Sequence, residues 1–173
     1  LSTNPSYVYT NAGLYATKLE AGSNKGCVNE FVSGVKVYAN PVADFISVPS
    51  CLGDPSTFTN TSYSQDGIIS SYQWDYNGDN TIDNISKEPT ITYTSNGVFL
   101  LKLEIQTVYG CVNVKSKSMY INPKPQPSFA AQQREGCPSF CVTFTNNSTI
   151  ATGNIVNAFW QFGDGSATQA TIG

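Results

Sequence analysis

The sequence contains no histidine and few charged residues of either sign. Without histidine, the chain has no Ser-His-Asp or Cys-His catalytic machinery and no histidine-ligated zinc, copper or haem. Lys and Arg number 9 against 12 Asp and Glu, and this net charge of −3, without a basic cluster, argues against nucleic-acid binding. No apolar run approaches the roughly 20 residues that a membrane-spanning helix needs. These absences exclude several function classes before any motif is considered.

Ser, Thr and Asn take the place of the missing charges. They number 19, 17 and 16 of the 173 residues, and aromatic residues make up a further 12%. Aromatic side chains spread along the sequence supply bulk for a packed core, so global disorder is not expected. A surface solvated by hydroxyls and amides rather than charges is common in secreted β-proteins.

The chain has five cysteines and no CxxC pair. Cys137 and Cys141 are four apart, but no second pair or histidine is present to complete a metal site. Two interpretations stay open: disulfides formed in an oxidising compartment, or five reduced and buried thiols. The odd count and the first residue, Leu1, lead us to expect an internal piece of a longer protein.

An internal repeat of about 84 residues organises the sequence. Gly26-Cys27-Val28-Asn29 recurs as Gly110-Cys111-Val112-Asn113 at an offset of 84. A second series, at an offset of 86, relates Phe58-Thr59-Asn60 to Phe144-Thr145-Asn146 and Trp74 to Trp160. Tyr38-x-Asn40-Pro41 also matches Tyr120-x-Asn122-Pro123. We therefore predict the back half of one unit at 1–41, a complete unit at 42–124 and the front half of a third at 125–173.

Residue alternation predicts that the units are built from strands. Between Gly97 and Thr107, apolar side chains alternate with polar ones, which is the period-2 pattern of a strand with one buried face. Val108-Tyr109-Gly110 then predicts a hairpin turn into the run Cys111 to Ile121. Further strands are predicted at Thr57-Phe58-Thr59 and from Ile69 to Tyr76, and no amphipathic helix is indicated. The sequence therefore predicts an all-β chain of tandem immunoglobulin-like β-sandwiches.

One segment carries a family resemblance. Phe159-Trp160-Gln161-Phe162-Gly163-Asp164-Gly165 resembles the WDFGDG signature of PKD (polycystic kidney disease) repeats. The later hallmarks of these repeats, a Pro, a Tyr and GxYxVxL, resemble Pro89, Tyr93 and Gly97-x-Phe99-x-Leu101-x-Leu103. The middle unit departs from the signature, because Trp74-Asp75-Tyr76-Asn77-Gly78-Asp79 replaces the FGDG turn. We take Trp74, Trp160, Tyr93 and Gly97 as its core signature residues.

The arrangement of Cys residues resembles the PKD arrays in large surface adhesins of gliding Bacteroidota, which the type IX system exports. This resemblance implies a secreted, non-catalytic module of a cell-surface adhesin or stalk, active in cell adhesion and gliding motility. The implied partners are neighbouring repeats of the same chain, surface polysaccharide, and the secretion or motility machinery. The alternatives are an accessory spacer, or a carbohydrate-binding module, of a secreted hydrolase.

Two sites are predicted within the middle unit. Cys51 precedes one strand and Cys111 opens the last strand, so we hypothesise a disulfide between them at one end of the sandwich. Oxygen-bearing side chains at alternate positions resemble the first part of an EF-hand loop and indicate a calcium site: Asp75, Asn77, Asp79 and Asp83. The alternative is a turn whose side chains bond to their own backbone. Catalysis by these carboxylates is not expected, because no pocket-forming insertion surrounds them.

Overall fold

The computed structural model describes residues 4–166 and 169–172, and within those ranges it contains strands and no helix. No helix long and apolar enough to span a membrane is therefore found in this part of the chain. The strands, in chain order, are β1 (Gly13–Gly22), β2 (Val28–Val37), β3 (Phe45–Ser47), β4 (Ser50–Cys51), β5 (Pro55–Asn60), β6 (Ile69–Asp75), β7 (Thr90–Thr92), β8 (Gly97–Thr107), β9 (Val112–Asn122), β10 (Phe129–Ala131), β11 (Phe144–Asn146), β12 (Asn157–Trp160) and β13 (Gln169–Ile172).

The strands form two larger sheets and three two-stranded ones. The larger sheets have the orders β3-β5-β7 and β4-β9-β8-β6, and the small ones are β1-β2, β10-β11 and β12-β13. β6 runs antiparallel to β8 with Trp74 opposite Leu103, whereas β4 runs parallel to β9. The prediction of an all-β, immunoglobulin-like fold is confirmed.

Backbone proximity divides the chain into two compact units, which are not the same as the three repeat units predicted from the sequence. Among the described residues, the first contains those up to 47, 57–89 and 99–118, and the second contains 48–56, 90–98 and those from 119 onward.

The first unit contains a closed aromatic and aliphatic core. Its centre is Trp74, which is fully buried and meets the ring of Phe45 edge-on at 5.1 Å. Phe58 lies 5.5 Å from both Trp74 and Tyr76, between ring centroids. The apolar face predicted for β8 is buried as expected, with Leu101, Leu103 and Ile105 all inaccessible to solvent. Rings from β3 and β5 thus pack on β6, as in a sandwich of two sheets.

The hairpin β1-β2 also lies in the first unit and has one apolar face that remains exposed. The register places Tyr15 opposite Val35 and Leu19 opposite Phe31 on this face. Leu19 and Phe31 are 67% and 69% exposed, although their strands alternate like those of a half-buried sheet. Two strands alone are marginally stable in water, so this face is one that a larger sandwich would bury.

The second compact unit contains the C-terminal end of β9, from Met119 onward, and the strands β10 to β13. Ile121 is fully buried, and Tyr93 is nearly so. The β4 segment is joined to the end of β9, because Leu52 N–H donates to the Asn122 carbonyl at 2.8 Å.

Candidate functional site

The predicted calcium loop is held together by hydrogen bonds to its own backbone. Asp75 is buried, and its Oδ1 accepts the N–H groups of Asn77 at 3.1 Å and Gly78 at 2.7 Å. Its Oδ2 accepts the N–H of Asn80 at 2.8 Å, and Asp83 Oδ2 accepts that of Tyr76 at 2.7 Å. The carboxylates of Asp75 and Asp83, at the two ends of the loop, thus both bond to its backbone.

Asn80 takes the position at which an EF-hand loop has glycine. Its φ is 66°, in the left-handed region that asparagine tolerates better than most residues. The bent backbone that the loop needs is therefore present without glycine.

The loop's oxygens are directed at N–H and O–H donors rather than at a common point. Within the described residues, no three Asp, Glu, Cys or His groups lie close enough together to hold a metal ion. The donor set in this arrangement therefore fits a self-bonded turn better than a cation, since a bound ion would have to displace the N–H donors from Asp75. Calcium binding stays a prediction.

Asp79 illustrates the same turn chemistry at the exposed tip of the loop. The Thr81 hydroxyl, the Thr81 N–H and the Asn77 side chain donate to its carboxylate and hold the pKa of Asp79 below its ordinary value. Asp164 in the third unit is similar, because the hydroxyl and N–H of Ser166 lower its pKa. Both aspartates thus cap a turn through a hydroxyl residue two positions later.

We expect Thr81→Val to raise the pKa of Asp79 toward its ordinary value, because the largest cause of the depression is lost. A depressed folded-state pKa contributes stability that is present above the unfolded-state pKa and is lost as pH falls through the folded value. The variant should therefore lose this contribution at a higher pH than the parent during acidification. Carboxyl NMR titration measures the shift, with Ser166→Ala as the control that moves Asp164 alone. An unchanged pKa of Asp79 would contradict the assignment.

All five cysteines are free thiols in the structure. Cys51 pairs with Asn122, the last residue of β9, whereas Cys111 immediately precedes Val112, its first residue. A strand of 11 residues spans about 33 Å, whereas bridged cysteines need Cα atoms roughly 4.4–6.8 Å apart. The predicted Cys51–Cys111 bridge is therefore not formed here, because the two residues flank opposite ends of one strand.

A second aromatic cluster, in the predicted third repeat at 125–173, lies open to solvent. Its rings are Phe129, Phe144, Trp160 and Phe162, and Trp160 meets Phe129 edge-on at 5.4 Å. Together with Pro127, Ile155 and neighbouring residues, they line a groove of about 570 Å³. We call this the aromatic groove. Trp160, predicted as a core residue, is here only half-buried.

The boundary between the predicted first and middle units is a joint with specific contacts. The ring of Tyr38 stacks on that of Tyr109 with centroids 3.7 Å apart and an interplanar angle of 7°. Ala39 N–H donates to Asp66 Oδ2 at 2.9 Å, and Lys36 Nζ lies 4.0 Å from the other oxygen of this carboxylate. These contacts attach the end of β2 to a loop and a hairpin turn of the middle repeat.

Because Gly67 has no side chain, the Tyr109 ring can approach its backbone closely at this joint. A Cβ at this position would lie 2.6 Å from the Tyr109 ring, and its φ of +75° suits glycine.

A related contact occurs at the next boundary, where the Tyr120 hydroxyl lies 3.3 Å from Thr152 Oγ1. Thr152-Gly153 follows Asp66-Gly67 by the repeat offset of 86, and Tyr120 is the repeat equivalent of Tyr38. Sequence reasoning missed the joint, although the matching tyrosines before each Asn-Pro were its signal.

Comparison with known proteins supports a PKD domain in this chain: residues 38–121 match the family model described as PKD domain. Among solved structures, the PKD1 domain of Vibrio anguillarum Epp is 24% identical, and the match covers 51% of this chain and 100% of that one, with a TM-score of 0.46. The PKD1 domain of the Vibrio cholerae metalloprotease PrtV is 28% identical, with 48% and 98% covered and a TM-score of 0.43. Fibronectin(III)-like modules of Clostridium thermocellum CbhA are 18% identical, with 65% and 64% covered and a TM-score of 0.45.

Proposed function

We propose that this chain, with a PKD domain at residues 38–121, is a non-catalytic extracellular repeat module that forms part of a long cell-surface adhesin or stalk. The observation that carries the proposal is the joint between Tyr38, Asp66 and Tyr109 and its counterpart between Tyr120 and Thr152. At both boundaries the tyrosine that precedes Asn-Pro contacts the following repeat, through a ring stack at Tyr38 and through its hydroxyl at Tyr120, and such contacts favour a fixed orientation of one repeat on the next. An extended array requires an orientation that is fixed at each boundary.

The chemistry of the joint suits a stiff connection rather than a flexible linker. Stacked aromatic rings contribute roughly 0.5–1.5 kcal/mol beyond the area they bury, and the charged Asp66 strengthens its bond to the Ala39 N–H. Pro123, Pro125 and Pro127 follow β9 and restrict φ over the second boundary, which favours an extended segment. Stiffness therefore has a source at each boundary.

We expect Tyr109→Ala to loosen the hairpin β1-β2 without unfolding the middle repeat. Loss of the stacked ring removes roughly 1 kcal/mol, so amide hydrogens of β1 and β2 should exchange about five- to tenfold faster. Hydrogen exchange read by mass spectrometry measures this effect, with Tyr63→Ala as the control because Tyr63 is also exposed on the middle repeat. Unchanged exchange in β1 and β2 would mean that the joint does not order the hairpin, and would remove the support for a stiff array.

The role of such an array in adhesion and gliding, export by the type IX system and binding of surface polysaccharide are parts of the same proposal. A glycan array probed with the full chain tests the ligand. Binding to bacterial surface polysaccharides would support an adhesive module, and the absence of binding would leave only the spacer role supported.

The alternative is an accessory spacer or carbohydrate-binding module of a secreted hydrolase. A hydrolase domain encoded in the same open reading frame would favour this alternative over the adhesin.

A further inference from the structure

The chain contains two Asn-Gly dipeptides, Asn77-Gly78 and Asn96-Gly97, and the fold places them in different surroundings. In such a dipeptide, the backbone nitrogen of glycine can attack the Cγ atom of the asparagine side chain, because glycine has no Cβ to hinder the approach. A five-membered succinimide ring closes as ammonia leaves, and water then opens the ring to aspartate or isoaspartate. Water is the only co-reactant, so the fold decides which site reacts.

Asn77-Gly78 lies in the self-bonded loop and is held at both reacting groups. The Asn77 Nδ2 group donates to Asp79 Oδ2 at 3.0 Å, and Asn77 Oδ1 accepts the Asp79 N–H at 3.0 Å. The Gly78 nitrogen, which would be the nucleophile, donates its hydrogen to the buried Asp75 carboxylate at 2.7 Å. Closing a ring at Asn77 would break these hydrogen bonds, so the loop protects this site.

Asn96 lies in the short loop between β7 and β8. Its side chain is exposed, and no hydrogen bond holds its amide within the residues that the structure describes. The Cγ atom of Asn96 can therefore rotate toward the following backbone nitrogen without the loss of a contact. This is the condition that the loop denies to Asn77.

Gly97 begins β8 and must be glycine for reasons of backbone conformation. Its φ of +136° lies in a region that side chains with a Cβ rarely adopt. A Cβ at this position would meet no atom within 4 Å, so the space beside the Gly97 backbone is open. Strand ends also open locally at a lower free energy than strand centres, which frees the backbone nitrogen for reaction. The fold thus keeps the least hindering residue type directly after an exposed asparagine.

We propose that Asn96 is a site of spontaneous deamidation, at which the Gly97 nitrogen displaces the side-chain ammonia, and that the self-bonded loop protects Asn77 from the same reaction. The bond between Asn96 Cγ and Nδ2 breaks as the bond from Cγ to the Gly97 nitrogen forms. The Gly97 amide proton leaves with the ammonia, and one water molecule adds when the ring opens. The product carries one more negative charge, and isoaspartate also adds one backbone carbon before β8.

The modified loop lies at the end of the middle repeat at which β9 ends. The Gly53 N–H donates to the carbonyl of Tyr93, at the start of the loop, at 3.3 Å. The neighbouring Leu52 N–H donates to the carbonyl of Asn122, the last residue of β9, at 2.8 Å. A charge that accumulates at Asn96 as the protein ages therefore appears at the end from which the chain continues toward the predicted third repeat.

Peptide mapping by mass spectrometry tests the proposal on the full chain after incubation at neutral and at mildly alkaline pH. We expect aspartate and isoaspartate to form at position 96 at least about tenfold faster than at position 77, because only Asn77 must first break its loop contacts. In urea, which unfolds the chain, the two rates should become similar, since glycine follows both residues. Equal rates in the folded chain, or no conversion at position 96 while the unfolded chain converts, would overturn the proposal.

Two variants test the route and the protection separately. Asn96→Gln would need a less favourable six-membered ring, so we expect no product at position 96 and an unchanged rate at position 77. Asp79→Ala removes the acceptor from the Asn77 Nδ2 group and should accelerate conversion at position 77 alone. Aspartate without isoaspartate at position 96 of the parent chain would indicate direct hydrolysis and overturn the succinimide route, and an unchanged rate at position 77 in Asp79→Ala would overturn the protection. Circular dichroism of each variant confirms that the chain remains folded.

Discussion

Replacing Trp74 with alanine is expected to lower the free energy of unfolding of the middle repeat by about 3–5 kcal/mol. The indole is fully buried against Phe45 and Phe58, and its removal leaves a cavity that these fixed rings cannot fill. The indole Nε1–H also donates to the Ser86 carbonyl at 2.9 Å, which would lose its partner. A loss of this size is a large part of a typical domain's stability.

Trp160→Ala provides a matched control, because it removes the same side chain from the equivalent position of the open cluster. Trp160 is only half-buried, so little cavity forms, and we expect a cost of about 1 kcal/mol or less. Urea unfolding followed by far-ultraviolet circular dichroism measures both variants without relying on tryptophan emission. Equal costs would show that the two clusters are equally buried in solution, and would contradict the exposure of the Trp160 cluster.

Local periodicity was sufficient to predict the strands that carry the core. The strand predicted from Gly97 to Thr107 coincides with β8, and the run from Ile69 to Tyr76 differs from β6 by one residue. In β8, one face is buried and the other is more exposed, so that burial leaves a period-2 signal in the sequence, whereas β6 buries the neighbouring residues Trp74 and Asp75. The short strands β3, β4 and β7, of three, two and three residues, are too brief for such a pattern.

Contacts between distant residues were the part that the sequence could not supply. The hypothesised bridge between Cys51 and Cys111 depended on which end of β9 pairs with β4. The two strands pair in parallel, and this pairing places Cys51 beside Asn122. The stack of Tyr38 on Tyr109 likewise joins residues 71 positions apart. Spacing along a chain does not determine either relation, because both follow from strand order and register.

The buried carboxylate of Asp75 leads to the second large expected effect. Asp75→Asn keeps the side-chain volume but should destabilise the middle repeat by about 3 kcal/mol. The two oxygens accept three backbone N–H groups, and an amide places its own N–H₂ against at least one of these donors. Donors left unpaired beside a buried side chain bear the full cost of desolvation. Thermal and urea unfolding of the full chain measure the change.

Asp79→Asn separates the turn from the calcium interpretation. Asp79 is exposed and its amide replacement can still accept from Thr81, so a self-bonded turn predicts a much smaller loss than at Asp75. A calcium site instead predicts that millimolar calcium raises the unfolding temperature of the parent chain, and that either substitution abolishes this rise, because a ligand that binds only the folded state stabilises it by mass action. The calcium interpretation would be excluded if calcium left the unfolding temperature unchanged and only the substitution at Asp75 caused a large loss of stability. That result would establish that backbone donors hold the Asp75 carboxylate. The reverse pattern would mean that an ion displaces these donors when it binds.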